Sequence, residues 1–443
     1  MKDFFKKIRD IYSHEELRKK IGFTLLLLLV YRIGSFIILP GIDQTKLDAG
    51  EQGGILAFLG LFTGGAFSRA SIFALGVMPY ISASIVVQLL GLAVPSIQKL
   101  QKEGESGRKK ITQWTRFLTI LIAIVQAPSY ITQYVPNDAI VQNSGFWIFS
   151  SVVILTCSTL FVMWLGEKIT DKGIGNGTSL IIMIGIISDI PRGLYTEATT
   201  QTFFFFLIEL AFLLVIIGAV VAITQAIRRI PVQMARANAG GGFLPQGEGA
   251  RSYIPLRVNS AGVMPIIFAQ AIMFIPALLQ NNESLQDSKV LQSLTDFQGV
   301  GYNVLLFVMI ILFTFFYTAI VTNPNQIADD LKRNGNFVPG VKPGKPTAEF
   351  IDRVLSNITL PGGIFVALIA ILPALVMMVG LTKSQMFGQF FGGTSLLITV
   401  GVVLDLLQQI ESHLLSRHYD GLMKSGRVRG RNSGNVASSG YTV

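Results

Sequence analysis

Ten apolar runs of roughly membrane-crossing length leave little room for any fold but a membrane bundle. They cover roughly residues 21–39, 71–94, 112–134, 146–166, 177–191, 202–226, 258–279, 302–323, 358–380 and 391–410. A hydrocarbon core takes about 20 apolar residues per helix. Inside lipid every backbone N–H and C=O must be bonded within the protein, so such runs fold as helices. Only 14% of the residues are charged, against about 25% in a soluble domain. The fold class read from this is an all-α polytopic membrane protein with ten transmembrane helices.

Direction follows from the connecting segments. With the N-terminus inside, the inner segments hold 29 Lys and Arg and the outer ones five, while Arg32 and Arg116 lie within spans. Cytoplasmic loops carry the excess of cations, so both termini are expected in the cytoplasm. No cleavable signal peptide is expected: the first 20 residues are too charged, and no small-residue cleavage site follows Leu25 to Val30. Phe4, Phe5, Ile8, Ile11 and Tyr12 approximate one helical face with Lys and Arg opposite, as in a helix lying on a membrane surface; a solvated basic tail is the alternative. The organisation expected is a cytoplasmic segment 1–20, halves 21–195 and 196–410, and a cytoplasmic tail 411–443.

Two internal repeats relate the halves. GVMP occurs at Gly76–Pro79 and Gly262–Pro265, in the second and seventh spans. GTSLII at 177–182 opens the fifth span, and GTSLLI at 393–398 opens the tenth. Both link span n to span n+5. Five is odd, so the second half enters the membrane upside down, and the working site of an inverted repeat lies between the halves near the midplane. Gly and Pro inside a span free backbone groups, which is tolerated beside a cavity and costly against lipid. The alternative is a packing kink with no pathway. Aligning the copies superposes Ile81 on Ile267 and Ile182 on Ile398. A narrow ring of branched apolar side chains closes a pore by dewetting.

Several longer blocks carry a family resemblance. SIFALGVMPYISASIVVQLL (71–90), KEGESGRKKITQWTR (102–116), MWLGEKITDKGIGNGTS (163–179), FFYTAIVTNP (315–324), NFVPGVKPGKPTAEFID (336–352) and FGGTSLLI (391–398) resemble, in order, conserved blocks of the SecY family of protein-conducting channels. The resemblance implies two inverted five-helix halves around an hourglass pore. It implies a pore ring of Ile81, Ile85, Ile182, Ile186, Ile267 and Ile398. It also implies a plug at 55–70 with Phe58, Leu59, Leu61, Phe62, Gly64 and Gly65, in which Gly60, Gly64 and Gly65 would permit movement. A lateral gate between the second and seventh spans would involve Pro79, Ser84, Gln126, Asn259 and Pro265, through weak interhelical bonds of around 1 kcal/mol.

The same resemblance makes the cytoplasmic loops 227–257 and 324–357 docking sites, with Arg251, Arg257, Lys332, Arg333, Lys342 and Lys345 as contacts. The implied partners are the SecE and SecG subunits, the SecA motor ATPase, the ribosome, signal sequences and unfolded preproteins, and the lipid bilayer. The implied location is the bacterial cytoplasmic membrane. One residue departs from the family pattern: Lys342 stands where Arg is usual, and Lys lacks the bidentate fork.

Rival functions find less in the residues. A secondary transporter also uses inverted repeats, but its ionisable candidates Arg32, Glu209 and Asp405 lie on different spans. An intramembrane enzyme lacks its motifs: Cys157 has no histidine on a nearby span, and neither HExxH nor paired aspartates occur. One cysteine excludes an intrachain disulfide, and His14, His413 and His418 lie near the termini. Neither catalysis nor a cofactor nor a metal is expected.

Overall fold

A computed structural model describes residues 14–47, 60, 63–141, 144–234, 252–279, 293–294, 296, 299–380, 382, 385–388 and 393–424. The helices are α1 Glu15–Gly34, α2 Met78–Ala93, α3 Pro95–Lys102, α4 Glu105–Tyr134, α5 Gly145–Lys172, α6 Gly177–Thr200 and α7 Phe203–Gln225. After them come α8 Met264–Leu279, α9 Val300–Val321, α10 Pro324–Arg333, α11 Lys345–Val379, α12 Gln385–Gly388 and α13 Gly393–Lys424. The strands are β1 Ile227–Met234, β2 Ser252–Arg257 and β3 Asn336–Phe337. Each of the ten apolar runs carries a helix. Among the described residues, seven helices are long and apolar enough to cross a membrane by length and composition.

The GVMP helices are the shortest of the ten, and the reason corrects the sequence reading. α2 and α8 have 16 residues each, about 24 Å at 1.5 Å per residue. Pro79 and Pro265 do not interrupt a helix; each is the second residue of its helix. First-turn N–H groups have no intrahelical partner, so a proline there sacrifices nothing. Gly76 (φ 51°) and Gly262 (φ 62°) bring the chain into the two helices through the left-handed region, which glycine adopts freely. The repeat is thus a helix-start motif. α6 in turn outruns the short span expected at 177–191, continuing past Pro191 to Thr200.

Packing sorts the helices into two bundles. α2 packs on α4, α4 on α5, and α5 on α6, with α1 laid against α5 and α6. In the second bundle α8 packs on α9, α9 on α11, and α11 on α13. One apolar cluster joins them through Tyr31, Leu165, Ile181, Ile266, Ile310 and Ile369. The remaining apolar surface faces outward, as lipid requires: Leu25 and Leu29 on α1, and Phe203 and Val215 on α7, are more than half exposed. The two cations within spans are both bonded. Arg116 donates from Nε to Glu167 Oε1 at 2.9 Å and from Nη2 to Oε2 at 2.6 Å, joining α4 to α5. Arg32 donates to the Gly64 carbonyl at 3.1 Å.

At the start of α6, Asn176 Oδ1 accepts from the N–H groups of Thr178 and Ser179, a side-chain N-cap. Gly177 there lies so close to α5 that a Cβ would collide with the Gly166 carbonyl. Gly177→Leu is expected to cost about 1–3 kcal/mol, as overpacking does, and to lower the melting temperature in detergent. An unchanged melting temperature would show that the two helices can part there freely.

The two long loops 227–257 and 324–357 are not independent. β1 is the centre of a sheet ordered β2-β1-β3, antiparallel throughout, with Ile227 opposite Arg257 and Gln233 opposite Phe337. Ile230, Leu256, Val338 and Ile351 make a small core beneath it. The two segments thus build one knob with its own interior. α10 supplies its apolar face to this core through Ile327 and Leu331, and Asn323 caps that helix by accepting from the N–H groups of Asn325 and Gln326.

Candidate functional site

The four repeat motifs converge on four helix starts. Ile81 and Ile267 lie three residues after the first residue of α2 and α8, and Ile182 and Ile398 five residues after those of α6 and α13. Ile85 and Ile186 follow one turn further along α2 and α6. Ile182, Ile186 and Ile398 are buried in the central cluster together with Ile266, and Ile81 packs against it. Ile85 is buried and Ile267 half-buried. Helices of both bundles therefore bring branched apolar side chains together, with the Tyr31 and Tyr302 rings among them, and the buried Asp189 lies about one turn along α6 from Ile186.

The contact between the bundles is lopsided. α6 carries it, touching α13, α12 and α7. Among the described residues no comparably close packing joins α2 or α4 to α8. The bundles are thus joined through α6 on one side and meet in a looser seam at α2 and α8 on the other. Pro79 and Pro265 are buried at the helix starts flanking that seam. Ser84 accepts from Gln88 along its own helix at 3.4 Å. Gln126 on α4 is half-buried. Asn259 has a buried Oδ1 with no hydrogen-bond partner. Among the described residues Ser84, Gln126 and Asn259 are not hydrogen-bonded to one another.

Phe58, Leu59, Leu61 and Phe62 lie outside the described residues. Gly64 (φ 61°) and Gly65 (φ 74°) sit in a tight turn that runs to Ala70. Their glycine character serves backbone geometry there: a Cβ on Gly64 would stand 2.9 Å from the Gly185 Cα of α6. Tyr130 Oη donates to the Phe67 carbonyl at 2.7 Å, fixing the far side of the turn to α4.

On the knob, Lys332 and Arg333 end α10 and Lys345 begins α11, all exposed, as is Lys342. Arg257 donates to Gln408 Oε1 of α13 at 3.2 Å. Arg251 is outside the described residues. Two further cations were not singled out from the sequence. Arg228 and Arg229 are exposed on β1, and the Arg229 guanidinium lies 4.8 Å from the Tyr253 ring centroid. The signal was present in IRRIPVQM and SYIPLR, two short alternating runs; their prolines argued for loops. Pro255 lies on the edge strand β2, where a lost donor is tolerated.

The SecY family profile matches residues 71–407. The protein translocase subunit SecY of Streptomyces galbus is 42% identical over 431 residues, covering 92% of this chain and 97% of that one. The chain belongs to the SecY family. Two solved structures share the fold. One is described as "The plug domain of the SecY protein stablizes the closed state of the translocation channel and maintains a membrane seal" (17% identity, TM-score 0.57, 91% of this chain and 94% of that one). The other is "Sec61 in the Canine ribosome-channel complex from the endoplasmic reticulum" (16% identity, TM-score 0.57, the same coverage).

Proposed function

We infer that this chain is the pore-forming subunit of a protein-conducting channel in a membrane that it crosses many times. The observation that carries this is the isoleucine cluster where α2, α6, α8 and α13 begin, drawn from both bundles. It seals without offering a binding site. An unfolded polypeptide can push such side chains apart and find nothing to stick to. The seam beside α2 and α8 gives hydrophobic segments a way into lipid, where transfer energy per residue decides which ones leave.

We propose Ile81, Ile85, Ile182, Ile186, Ile267 and Ile398 as the ring, the segment 55–70 as the plug, and Pro79, Ser84, Gln126, Asn259 and Pro265 as the gate lining. The finer assignments rest on the family. These are the halves 21–195 and 196–410, the bacterial cytoplasmic membrane with both termini inside, SecE and SecG as helical partners, and SecA or the ribosome on the basic knob. The energy for movement then comes from those partners, and the chain performs no chemistry.

Purified channel in proteoliposomes with the motor ATPase and a radiolabelled preprotein should yield ATP-dependent, protease-protected preprotein. No protected preprotein, with saturable uptake of a small solute instead, would favour the transporter. Its ionisable candidates do not gather. Arg32 is bonded to Gly64, Glu209 accepts from Gln201 Nε2 at 2.9 Å, and Asp405 is exposed.

A further inference from the structure

One backbone oxygen in the 63–70 turn is held by two cations. The Gly64 carbonyl accepts from Arg32 Nη1 of α1 at 3.1 Å and from Arg69 Nη2 at 2.7 Å. A carbonyl has two lone pairs, and here both face guanidinium groups. Such charge-assisted bonds are roughly twice as strong as neutral ones. The Phe36 ring stacks with both arms, its centroid 5.1 Å from Arg32 Cζ and 4.5 Å from Arg69 Cζ. The carbonyl is presented by a backbone seated directly on α6: a Cβ on Gly64 would meet Arg32 Nη1 at 2.6 Å and the Gly185 Cα at 2.9 Å.

Two like charges on one acceptor repel, so the arrangement needs an anion. Asp189 is buried on α6, next to Ser188 and one turn on from Gly185, the two residues that meet Gly64, so its carboxylate lies on the stretch of α6 that faces the turn. The grip is also incomplete, because Arg69 Nε is buried without a partner. A buried donor left unmade is a standing cost. Strong bonds set against repulsion and an unsatisfied donor describe a contact that holds yet can be released.

We propose that Arg32 and Arg69 form a two-armed latch on the Gly64 carbonyl, with Asp189 as its counter-charge, which keeps the 63–70 turn docked on α6 until the channel opens. This rests on reading that turn as the end of the plug. Either arm's removal loosens the turn, and removal of Asp189 loosens it in the same direction by leaving the arginines to repel.

The test uses the assembled channel in vesicles, with Cys157→Ser removing the native thiol and Thr63→Cys reporting on the turn. Thr63 is 2% exposed when docked. A membrane-impermeant maleimide should label Thr63→Cys about tenfold faster in Arg32→Gln and in Arg69→Gln, the factor that corresponds to ~1.4 kcal/mol. Asp189→Asn should also speed labelling, and Arg32→Lys and Arg69→Lys, which keep a charged donor, should do so less. Unchanged rates in both glutamine variants would overturn the latch, and slower labelling in Asp189→Asn would overturn the counter-charge. Copurification with the partner subunits guards against simple misfolding. Conductance of an Ile186→Asn channel, recorded alongside, separates the two readings. If it leaks while labelling is unchanged, the latch falls and the pore stands. If labelling rises while it stays sealed, the latch stands and the pore falls.

Discussion

Planar bilayers holding the Ile186→Asn, Ile398→Asn double variant should show a resting ion conductance at least about tenfold above the parent channel. Ile186 is 1% exposed and Ile398 3%, so both side chains are fully inside the seal. Burying an isoleucine is worth about 1.5–3 kcal/mol. An amide left unpaired in an apolar setting costs about 1–3 kcal/mol on mutational scales. The double exchange therefore shifts the balance between a dry and a wet constriction by several kcal/mol, and each 1.4 kcal/mol is a factor of ten. Ile→Leu at the same two positions conserves volume and should leave the seal intact. Ile81→Asn and Ile267→Asn should leak less, because those side chains already keep part of their surface exposed. A double asparagine variant that stays as tight as the parent would reject the isoleucine seal, whatever its effect on translocation.

The membrane class and the repeat were legible because each rests on local chemistry: apolar length and identical letters. What the letters did not convey was how the repeat works. Pro79 and Pro265 read as interruptions because the runs 71–94 and 258–279 begin before Met78 and Met264. Hydropathy does not distinguish a turn from a helix when both are buried. The conformational clue was the glycine three residues before each proline, which the structure uses at positive φ. The three-stranded sheet was missed for another reason. β1 and β3 pair across about a hundred residues of sequence, and the core of Ile230, Leu256, Val338 and Ile351 exists only when both loops meet. The contacts of Gly64 were equally invisible, since nothing near it in sequence announces Arg32 or Gly185.

Replacing Lys332, Arg333, Lys342 and Lys345 together by glutamine should weaken ribosome binding about a hundredfold or more at low salt, and make its salt dependence shallower. Each phosphate neutralised contributes roughly 0.7–0.9 to the slope of log affinity against log salt. Loss of four contacts should therefore flatten that slope by about 3. All four side chains are exposed on the knob and none is needed for its apolar core. Lys345 sharpens the case. It begins α11, and a cation at a helix N-terminus is disfavoured by roughly 0.3–1 kcal/mol. Its removal should leave α11 as stable or slightly more so, whereas Lys332 and Arg333 end α10 and favour its dipole, so an unchanged melting temperature of the fourfold variant separates lost binding from unfolding. Arg257 is the contrasting position: its guanidinium is engaged with Gln408, and Arg257→Gln should loosen the knob from α13 while changing the salt slope by less than about one unit. Equal salt slopes for the parent and the fourfold variant would mean that this basic face meets no phosphate, and that its charge serves orientation in the membrane alone.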